Sequence, residues 1–303
     1  MRTIQFDIHS KEEAEAYILE CEQRFSDNID EALEGIFTGG EVKTIALAGP
    51  TCSGKTTTAE KITRRIQRAG KKAVVLSIDD FFLSRDDRNV VDGEAPDYDS
   101  AAALDLEYLE TFMTRLNAGL PVLVPHYDFS STGRVGYHEY IPREEDIYLF
   151  EGIQAVYPEV TRLFGPGYRS IFINVNEDCR YGDVILEKEE IRLLRRTVRD
   201  RLFRGATPEF TLHLWETVRA NEEKNIFPNA AGCDLHLESF LEYEPFLLSR
   251  YGVGMLESVP KDSRYRPAAD EVLKELRFFD CPYFEETMIP KNSLFREFIG
   301  GKE

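Results

Sequence analysis

Residues 49–56 read Gly49-Pro50-Thr51-Cys52-Ser53-Gly54-Lys55-Thr56, which is a complete phosphate-binding loop of the form G-x-x-x-x-G-K-[ST]. An apolar run of strand length, residues 44–48, comes directly before it. Residues 57–69 follow it, with apolar side chains at helical spacing. Because strand, glycine loop and helix are the context that this motif needs, the stretch predicts a site where main-chain N–H groups and a helix N-terminus bind phosphates.

Side chains of this loop have predictable roles. Lys55 is expected to reach the β- and γ-phosphates, and the Thr56 hydroxyl is expected to ligate Mg²⁺. The alternative is a chance glycine turn between a strand and a helix, which the correct flanks on both sides disfavour. The residues predicted to contact the phosphates of ATP from the loop are Gly49, Thr51, Cys52, Ser53, Gly54, Lys55, Thr56 and Thr57.

The charge balance narrows the classes of partner. The 303 residues include 37 Lys and Arg against 55 Asp and Glu, so the formal net charge is -18. This acidity argues against nonspecific binding to nucleic acid and against binding to an anionic membrane surface. The five cysteines are scattered without metal-ligand spacing, and no apolar signal segment or membrane-spanning run is evident. We therefore expect free thiols and a cytoplasmic location.

Apolar runs alternate with helical stretches from residue 44 onward, which predicts an α/β fold with a parallel sheet flanked by helices, as in phosphate-loop NTPases. An N-terminal helical segment is predicted at 1–40, a core at 41–240 and a C-terminal extension, packed on the core, at 241–303. Residues 83–100 are interpreted as a polar loop over the site. The predicted strands are 44–48, 73–78, 122–124, 147–150, 170–175 and 234–237, and the predicted helices are 10–37, 55–69, 104–118, 184–203, 208–226 and 267–278.

Two carboxylates follow predicted strands, where ligands of an open parallel sheet bind. Asp79 follows the strand at 73–78 and could accept a proton from an attacking hydroxyl and approach Mg²⁺. An Asp that only caps the next turn is an equally weighted alternative. Glu151 ends the strand at 147–150 and is expected to orient a Mg²⁺-bound water or the substrate. Its alternative is a strand-end side chain that faces solvent.

A strongly basic helix lies within this acidic chain. Its arginines are Arg192, Arg195, Arg196, Arg199, Arg201 and Arg204. A solvated helix face, balanced by neighbouring glutamates, is the ordinary interpretation. The local excess of positive charge instead favours a mobile lid, at about 192–226, whose arginines neutralise a transferring phosphate.

Residues 125–134 are short, aromatic and polar, and they end in a Thr-Gly-Arg sequence. Tyr127 and Phe129 could stack on a planar base, and Arg134 is a further candidate for substrate binding. An ordinary hairpin with a glycine turn is the alternative.

Together these segments resemble the uridine kinase and phosphoribulokinase family of phosphate-loop kinases, over about residues 44–240. The resemblance rests on the motifs GPTCSGKT, SIDDFF, YDSAAALD, PHYDF with TGR, LFEGI and RRTVRDRLFRG, all in family order. The tail at 289–301 resembles the ending of a bacterial branch of nucleoside kinases.

This resemblance implies transfer of the γ-phosphate of ATP to the 5′-hydroxyl of a nucleoside, with Mg²⁺ as cofactor and a homo-oligomer as one expected state. The implied roles are acid–base catalysis for Asp79, binding of ribose hydroxyls for Asp99, contact with the base for Tyr127, a metal-side role for Glu151, and phosphate binding for Arg196, Arg199 and Arg204. Arg199 is also placed on the substrate side, and Asp79 among the metal ligands with Thr56 and Glu151.

Two positions depart from the family pattern. Thr132 stands where pyrimidine-specific members carry a histidine, and Ala206 stands where a further lid arginine is expected. The first departure leaves the uridine or cytidine preference open, and the second suggests a differently built phosphate clamp. Two alternatives therefore remain: a kinase for another small hydroxylated metabolite, such as a sugar phosphate, pantothenate or glycerate, and a regulatory ATPase or nucleotide-dependent switch. A guanine switch is disfavoured because the sequence has no Asn-Lys-x-Asp motif.

Overall fold

The computed structural model describes residues 1–84 and 97–301. Most of the predicted loop at 83–100 therefore lies outside the described residues. The strands are β1 (Arg2–Ile4), β2 (Thr44–Ala48), β3 (Lys72–Ser77), β4 (Val122–Asp128), β5 (Gly133–Tyr140), β6 (Asp146–Glu151), β7 (Arg169–Asn174), β8 (Cys179–Tyr181), β9 (Val184–Leu186) and β10 (Leu235–Glu238). The helices are α1 (Lys11–Thr38), α2 (Lys55–Arg68), α3 (Leu106–Asn117), α4 (Pro158–Thr161), α5 (Lys188–Phe203), α6 (Pro208–Asn221), α7 (Phe227–Ala230), α8 (Glu244–Glu257), α9 (Arg266–Leu276) and α10 (Arg296–Ile299).

The centre of the fold is a five-stranded parallel sheet in the order β10-β7-β2-β6-β3. Strand β2, which leads into the phosphate loop, is central, and all five of its residues are buried. Successive side chains of a strand point to opposite faces. Ile45 and Leu47 accordingly join the hydrophobic cluster that includes α1, α2, α5 and α8, whereas Ala46 and Ala48 join the cluster that includes α3. The predicted α/β fold with a parallel sheet between helices is confirmed.

The strand predicted at 122–124 exists, but its placement within the parallel sheet was wrong. It is the start of β4, which pairs antiparallel with β5 in a separate two-stranded hairpin. The pairing register shifts between His126 and Tyr127, and Thr132 at the turn has a positive φ of 53°. The backbone of residues 125–134 therefore forms the hairpin that was the alternative interpretation of this segment.

The sequence did not predict a second small sheet, which has three strands. Strand β1 pairs parallel with β8, which pairs antiparallel with β9. Each of these strands has three residues, which is too short for an alternating pattern to be read. The N-terminal segment thus contains a strand as well as the predicted helix.

The C-terminal extension contains helices and turns without a strand over residues 241–301, as predicted. Its Tyr243 hydroxyl donates to Glu22 of α1 at 2.7 Å and lies 3.1 Å from the Ser293 hydroxyl. Residues of α1, α8, α9 and α10 share one buried cluster with the sheet. Over residues 1–84 and 97–301, no helix has the length and apolar character needed to cross a membrane.

Candidate functional site

The phosphate loop is held by close packing at both of its glycines. A Cβ at Gly49 would overlap the carbonyl of Ile173 on β7, and a Cβ at Gly54 would overlap the Leu294 side chain. Gly54 also has a φ of +89°, in a region that favours glycine. Cys52 has a positive φ of 58°, which is uncommon for a residue with a side chain. The two glycines of the loop are therefore required by its backbone shape and by its neighbours.

Two of the first three side chains of α2 have partners in the loop or in the C-terminal tail. The Lys55 ammonium donates to the carbonyl oxygens of Gly49 at 2.8 Å and Pro50 at 3.1 Å, so it lies across the loop. Thr56 is exposed. The Thr57 N–H donates to Glu297 Oε2 at 3.1 Å, and the Thr57 hydroxyl donates to the same oxygen at 2.9 Å. Glu297 was not among the predicted site residues.

The two predicted strand-end acids meet beside the loop. Glu151 at the end of β6 pairs in register with Leu47 on one side and with Ser77 on the other. Gly152, with a φ of +151°, lets the turn that carries Asp79 approach, because a Cβ there would lie 2.9 Å from Ile78 Cβ. Burial, followed by the nearby charge of Glu151, raises the pKa of Asp79 to about 6, while Lys55 opposes the shift.

The donor set fits Mg²⁺ in its chemistry. A hydroxyl at Thr56 and carboxylates at Asp79 and Glu151 are hard oxygen ligands, which Mg²⁺ prefers. Within the described ranges, no group of three or more His, Cys, Asp and Glu residues could hold a metal ion by itself. This agrees with the usual Mg²⁺ site of phosphate-transfer enzymes, where one or two carboxylates share the ion with substrate phosphates and water.

Asp99 is held by side chains that the sequence interpretation missed. The Asn221 amide at the end of α6 donates to Asp99 Oδ2 at 3.1 Å, and the Tyr157 hydroxyl donates to the Asp99 carbonyl at 2.9 Å. Burial raises the pKa of Asp99, the hydrogen bond from Asn221 opposes this, and the charges of Asp97 and Glu222 add to the rise. The only sequence signal for Asn221 was its position within a predicted helix.

The aromatic residues next to this site form one cluster. Tyr127 is 4% exposed, and its ring lies 5.6 Å from Phe82 and 5.2 Å from Phe129. Phe129 is 53% exposed and also contacts Tyr98 at 6.1 Å between ring centroids. Of the two predicted base contacts, Phe129 is therefore the one with free ring surface in this arrangement.

Arg134, on β5 of the hairpin, has protein partners at the start of α3. Its guanidinium bonds to Asp105 at 3.1 Å, and it lies 4.9 Å from the centre of the Tyr108 ring. These contacts give it a structural role and do not support its predicted role in substrate binding, which stays a prediction.

The first two arginines of α5 are buried structural groups. Arg192 pairs with Glu222, and Arg195 pairs with Glu244, in ion pairs whose side chains are at most 1% exposed. Arg195 also donates to the Cys52 carbonyl at 3.0 Å, so this helix supports the phosphate loop. The mobility of a lid at 192–226 stays a prediction. The Arg192–Glu222 pair joins two parts of that segment, whereas Arg195 fixes its start to Glu244 of α8 and to the phosphate loop.

The three arginines that the resemblance assigns to phosphate binding meet at one carboxylate. Asp200, which is buried, lies 3.3 Å from Arg196, 2.8 Å from Arg199 and 3.6 Å from Arg204 in ion pairs. Burial and the neighbouring Arg199 lower the pKa of Arg204, so these positive charges repel each other. One carboxylate for three guanidinium groups leaves a local excess of positive charge, which suits an anion. Asp200 was missed because an acid within an arginine-rich helix is typical of an ordinary surface.

We expect Asp200→Asn to lower kcat by about tenfold or more, because the arginines would no longer be held together at the predicted phosphate position. The amide keeps the size of the side chain and removes its charge. Initial rates at saturating ATP and acceptor measure the effect. Glu209→Gln, a change at a partly exposed position in the first turn of α6, is the control, and an unchanged kcat for Asp200→Asn would contradict this positioning role.

Comparison with known proteins adds the following findings. The model of the "Phosphoribulokinase / Uridine kinase family" matches residues 44–243. A uridine kinase of Halobacterium salinarum is 28% identical over 192 residues, which are 63% of this chain and 77% of that protein. Uridine-cytidine kinase B of Dictyostelium discoideum is 30% identical over 175 residues, 57% of this chain and 64% of that protein. Uridine-cytidine kinase C of the same organism is 32% identical over 124 residues, which are 41% of this chain and 26% of that protein.

Proposed function

Because the chain belongs to the phosphoribulokinase and uridine kinase family, we propose that it transfers the γ-phosphate of ATP to a hydroxyl of a small molecule, most specifically the 5′-hydroxyl of a nucleoside. The observation that carries this proposal is the partly buried Asp79 carboxylate beside Glu151 and Lys55, at the carboxyl edge of the sheet next to the phosphate loop. A carboxylate whose pKa is about 6 is a stronger base than an ordinary Asp and is still charged at neutral pH.

The residues of the proposed site act by positioning the reacting groups or by stabilising their charge. Main-chain N–H groups of residues 49–57 bind the phosphates, and Lys55 turns from the loop carbonyls to the β/γ-phosphates. Asp79 accepts the proton of the acceptor hydroxyl, and Arg196, Arg199 and Arg204 stabilise the charge on the transferring group. Mg²⁺, held by Thr56, Glu151 and Asp79, would neutralise phosphate charge. Positioning and charge stabilisation supply most of the rate in this reaction class.

The electrostatics around Asp99 favour an uncharged acceptor over a phosphorylated one. Of the acids near Asp99 in the described part of the chain, Asp97 is paired with Lys224 at 3.7 Å, and Glu222 is paired with Arg192 and Arg219. The Asp99 side chain instead bonds to the neutral amide of Asn221. Its carboxylate would repel a sugar phosphate, whereas ribose hydroxyls can donate hydrogen bonds to it. The half-exposed ring of Phe129 supports stacking of a base, and the relatives named uridine kinase agree with a nucleoside.

A panel of acceptors tests this assignment. We expect ADP release at fixed ATP and Mg²⁺ to depend on an added nucleoside, with a product that is heavier by one phosphoryl group. Sugar phosphates, pantothenate and glycerate serve as competing acceptors in the same assay, since low identity leaves the acceptor open. Turnover only with one of these would overturn the nucleoside assignment but keep the kinase. ADP release that is independent of every acceptor would instead support a regulatory ATPase.

A further inference from the structure

The C-terminal tail reaches the phosphate loop with a negatively charged side chain. Glu297 Oε2 accepts hydrogen bonds from both the N–H and the hydroxyl of Thr57, at 3.1 Å and 2.9 Å. Thr57 lies in the first turn of α2, whose N-cap Gly54 has no side chain to offer. Free N–H groups in the first turn of a helix attract anions. Glu297 therefore caps α2 from 240 residues away in sequence.

The position of this carboxylate is fixed by a packed segment. Leu294 lies against Gly54, and Phe298 lies under the Arg195 guanidinium at 4.8 Å. Arg296 donates to the carbonyls of Glu286 and Ile289, both at 2.9 Å. Residues 293–296, 298 and 299 are buried, whereas Glu297 itself is partly exposed. Glu297 is thus presented by a rigid support rather than by a free chain end.

A nucleotide needs the same donor. In a phosphate loop the N–H groups at the start of the helix bind the α- and β-phosphates, and Thr57 N–H is one of them. The Glu297 charge also acts on Arg199, whose pKa is raised by Cys52, Asp200 and Glu297 although burial opposes this. The carboxylate therefore lies close to two groups that would otherwise meet phosphate oxygens.

We propose that Glu297 is a built-in competitor of the nucleotide, whose carboxylate takes the phosphate position on Thr57 N–H and must leave it when ATP or ADP binds. This inference rests on the proposed function, because it assumes that the loop binds a nucleotide. Two anions cannot share one N–H donor without strong repulsion. The tail therefore stabilises the nucleotide-free loop and weakens nucleotide binding, and a signal that moves residues 289–301 would change the affinity.

Calorimetric titration of the full chain with Mg²⁺–ADP tests this competition. Glu297→Gln removes the charge but keeps the size and an acceptor oxygen, so we expect the Kd to fall by about threefold to tenfold. Glu297→Ala is the second variant and should change the Kd in the same direction. Asp262→Asn is the control, because it makes the same change in net charge at an exposed residue of the C-terminal extension.

A purely structural role predicts the opposite sign. If Glu297 only supports the loop, both variants will lower the melting temperature and raise the Kd for ADP. An equal or higher Kd in both variants, with normal binding by the wild-type chain, overturns the competition but leaves the proposed function intact. Failure of the wild-type chain to bind ADP overturns the proposed function and this inference with it.

Discussion

Lys55→Ala is expected to abolish turnover, with a loss in kcat of at least about a hundredfold to a thousandfold. Lys55 is the first residue of α2, and its ammonium bonds to the loop carbonyls of Gly49 and Pro50. In the proposed reaction this charge moves to the β/γ-phosphates, where negative charge redistributes during transfer. Alanine removes the charge without placing a new group in the loop.

The measurement is the initial rate with saturating ATP and acceptor, together with the melting temperature. Alanine is a good helix former, and Lys55 is only partly buried, so the fold should tolerate the change. Lys274→Ala, an exposed position of α9, is the matched control and should keep its activity. Turnover within threefold of the wild-type rate for Lys55→Ala would show that the loop does not carry the chemistry.

The parallel sheet could be predicted because most of its strands contain continuous apolar runs, and because the glycine motif fixes the strand before it and the helix after it. All five residues of β2 are buried, as expected for a strand in which apolar and polar residues do not alternate. The phosphate loop and the acids after β3 and β6 could be located for the same reason, since parallel strands bring their carboxyl ends to one edge.

The parts that the sequence did not reveal depend on contacts between distant residues. The arginine face of α5 looked uniform, but Arg192 and Arg195 are buried against Glu222 and Glu244, whereas the next arginines gather at Asp200. Burial distinguishes these groups, and it is decided by the segment that follows α6 and by α8 rather than by α5. The contact of Glu297 with Thr57 spans 240 residues, so no local pattern could have indicated it.

Asp79→Asn is expected to remove turnover almost completely while nucleotide binding stays close to that of the wild-type chain. Loss of a general base costs about a hundredfold to ten-thousandfold. Asparagine has the same shape but cannot accept the proton of the acceptor hydroxyl. The substitution removes one negative charge beside Glu151, which favours binding of phosphate oxygens, and also weakens one proposed Mg²⁺ ligand, which opposes it. The Kd for Mg²⁺–ADP should therefore change little. Rates at saturating substrates and the Kd for Mg²⁺–ADP separate the two effects.

The pH profile gives a second test of the same residue. Burial and Glu151 raise the pKa of Asp79 to about 6, so the active, charged form is lost as the pH falls through that value. The kcat/KM of the wild-type chain, which reports the pKa of the free enzyme, should therefore rise between about pH 5 and pH 7 and then level off, and the residual kcat/KM of Asp79→Asn should lack this rise. A profile that is flat across pH 6 in the wild-type chain would contradict the assignment of Asp79 as the base.

Asp80→Asn is the matched control, because Asp80 lies on the same turn but its carboxylate accepts from the Tyr127 N–H at 2.9 Å. Asparagine can keep that hydrogen bond through its own carbonyl oxygen, so activity should stay within about threefold of the wild-type rate. The two neighbouring substitutions remove the same charge one residue apart. If both reduced kcat equally, the loss would come from charge on this turn in general, and Asp79 would have no special role as a proton acceptor.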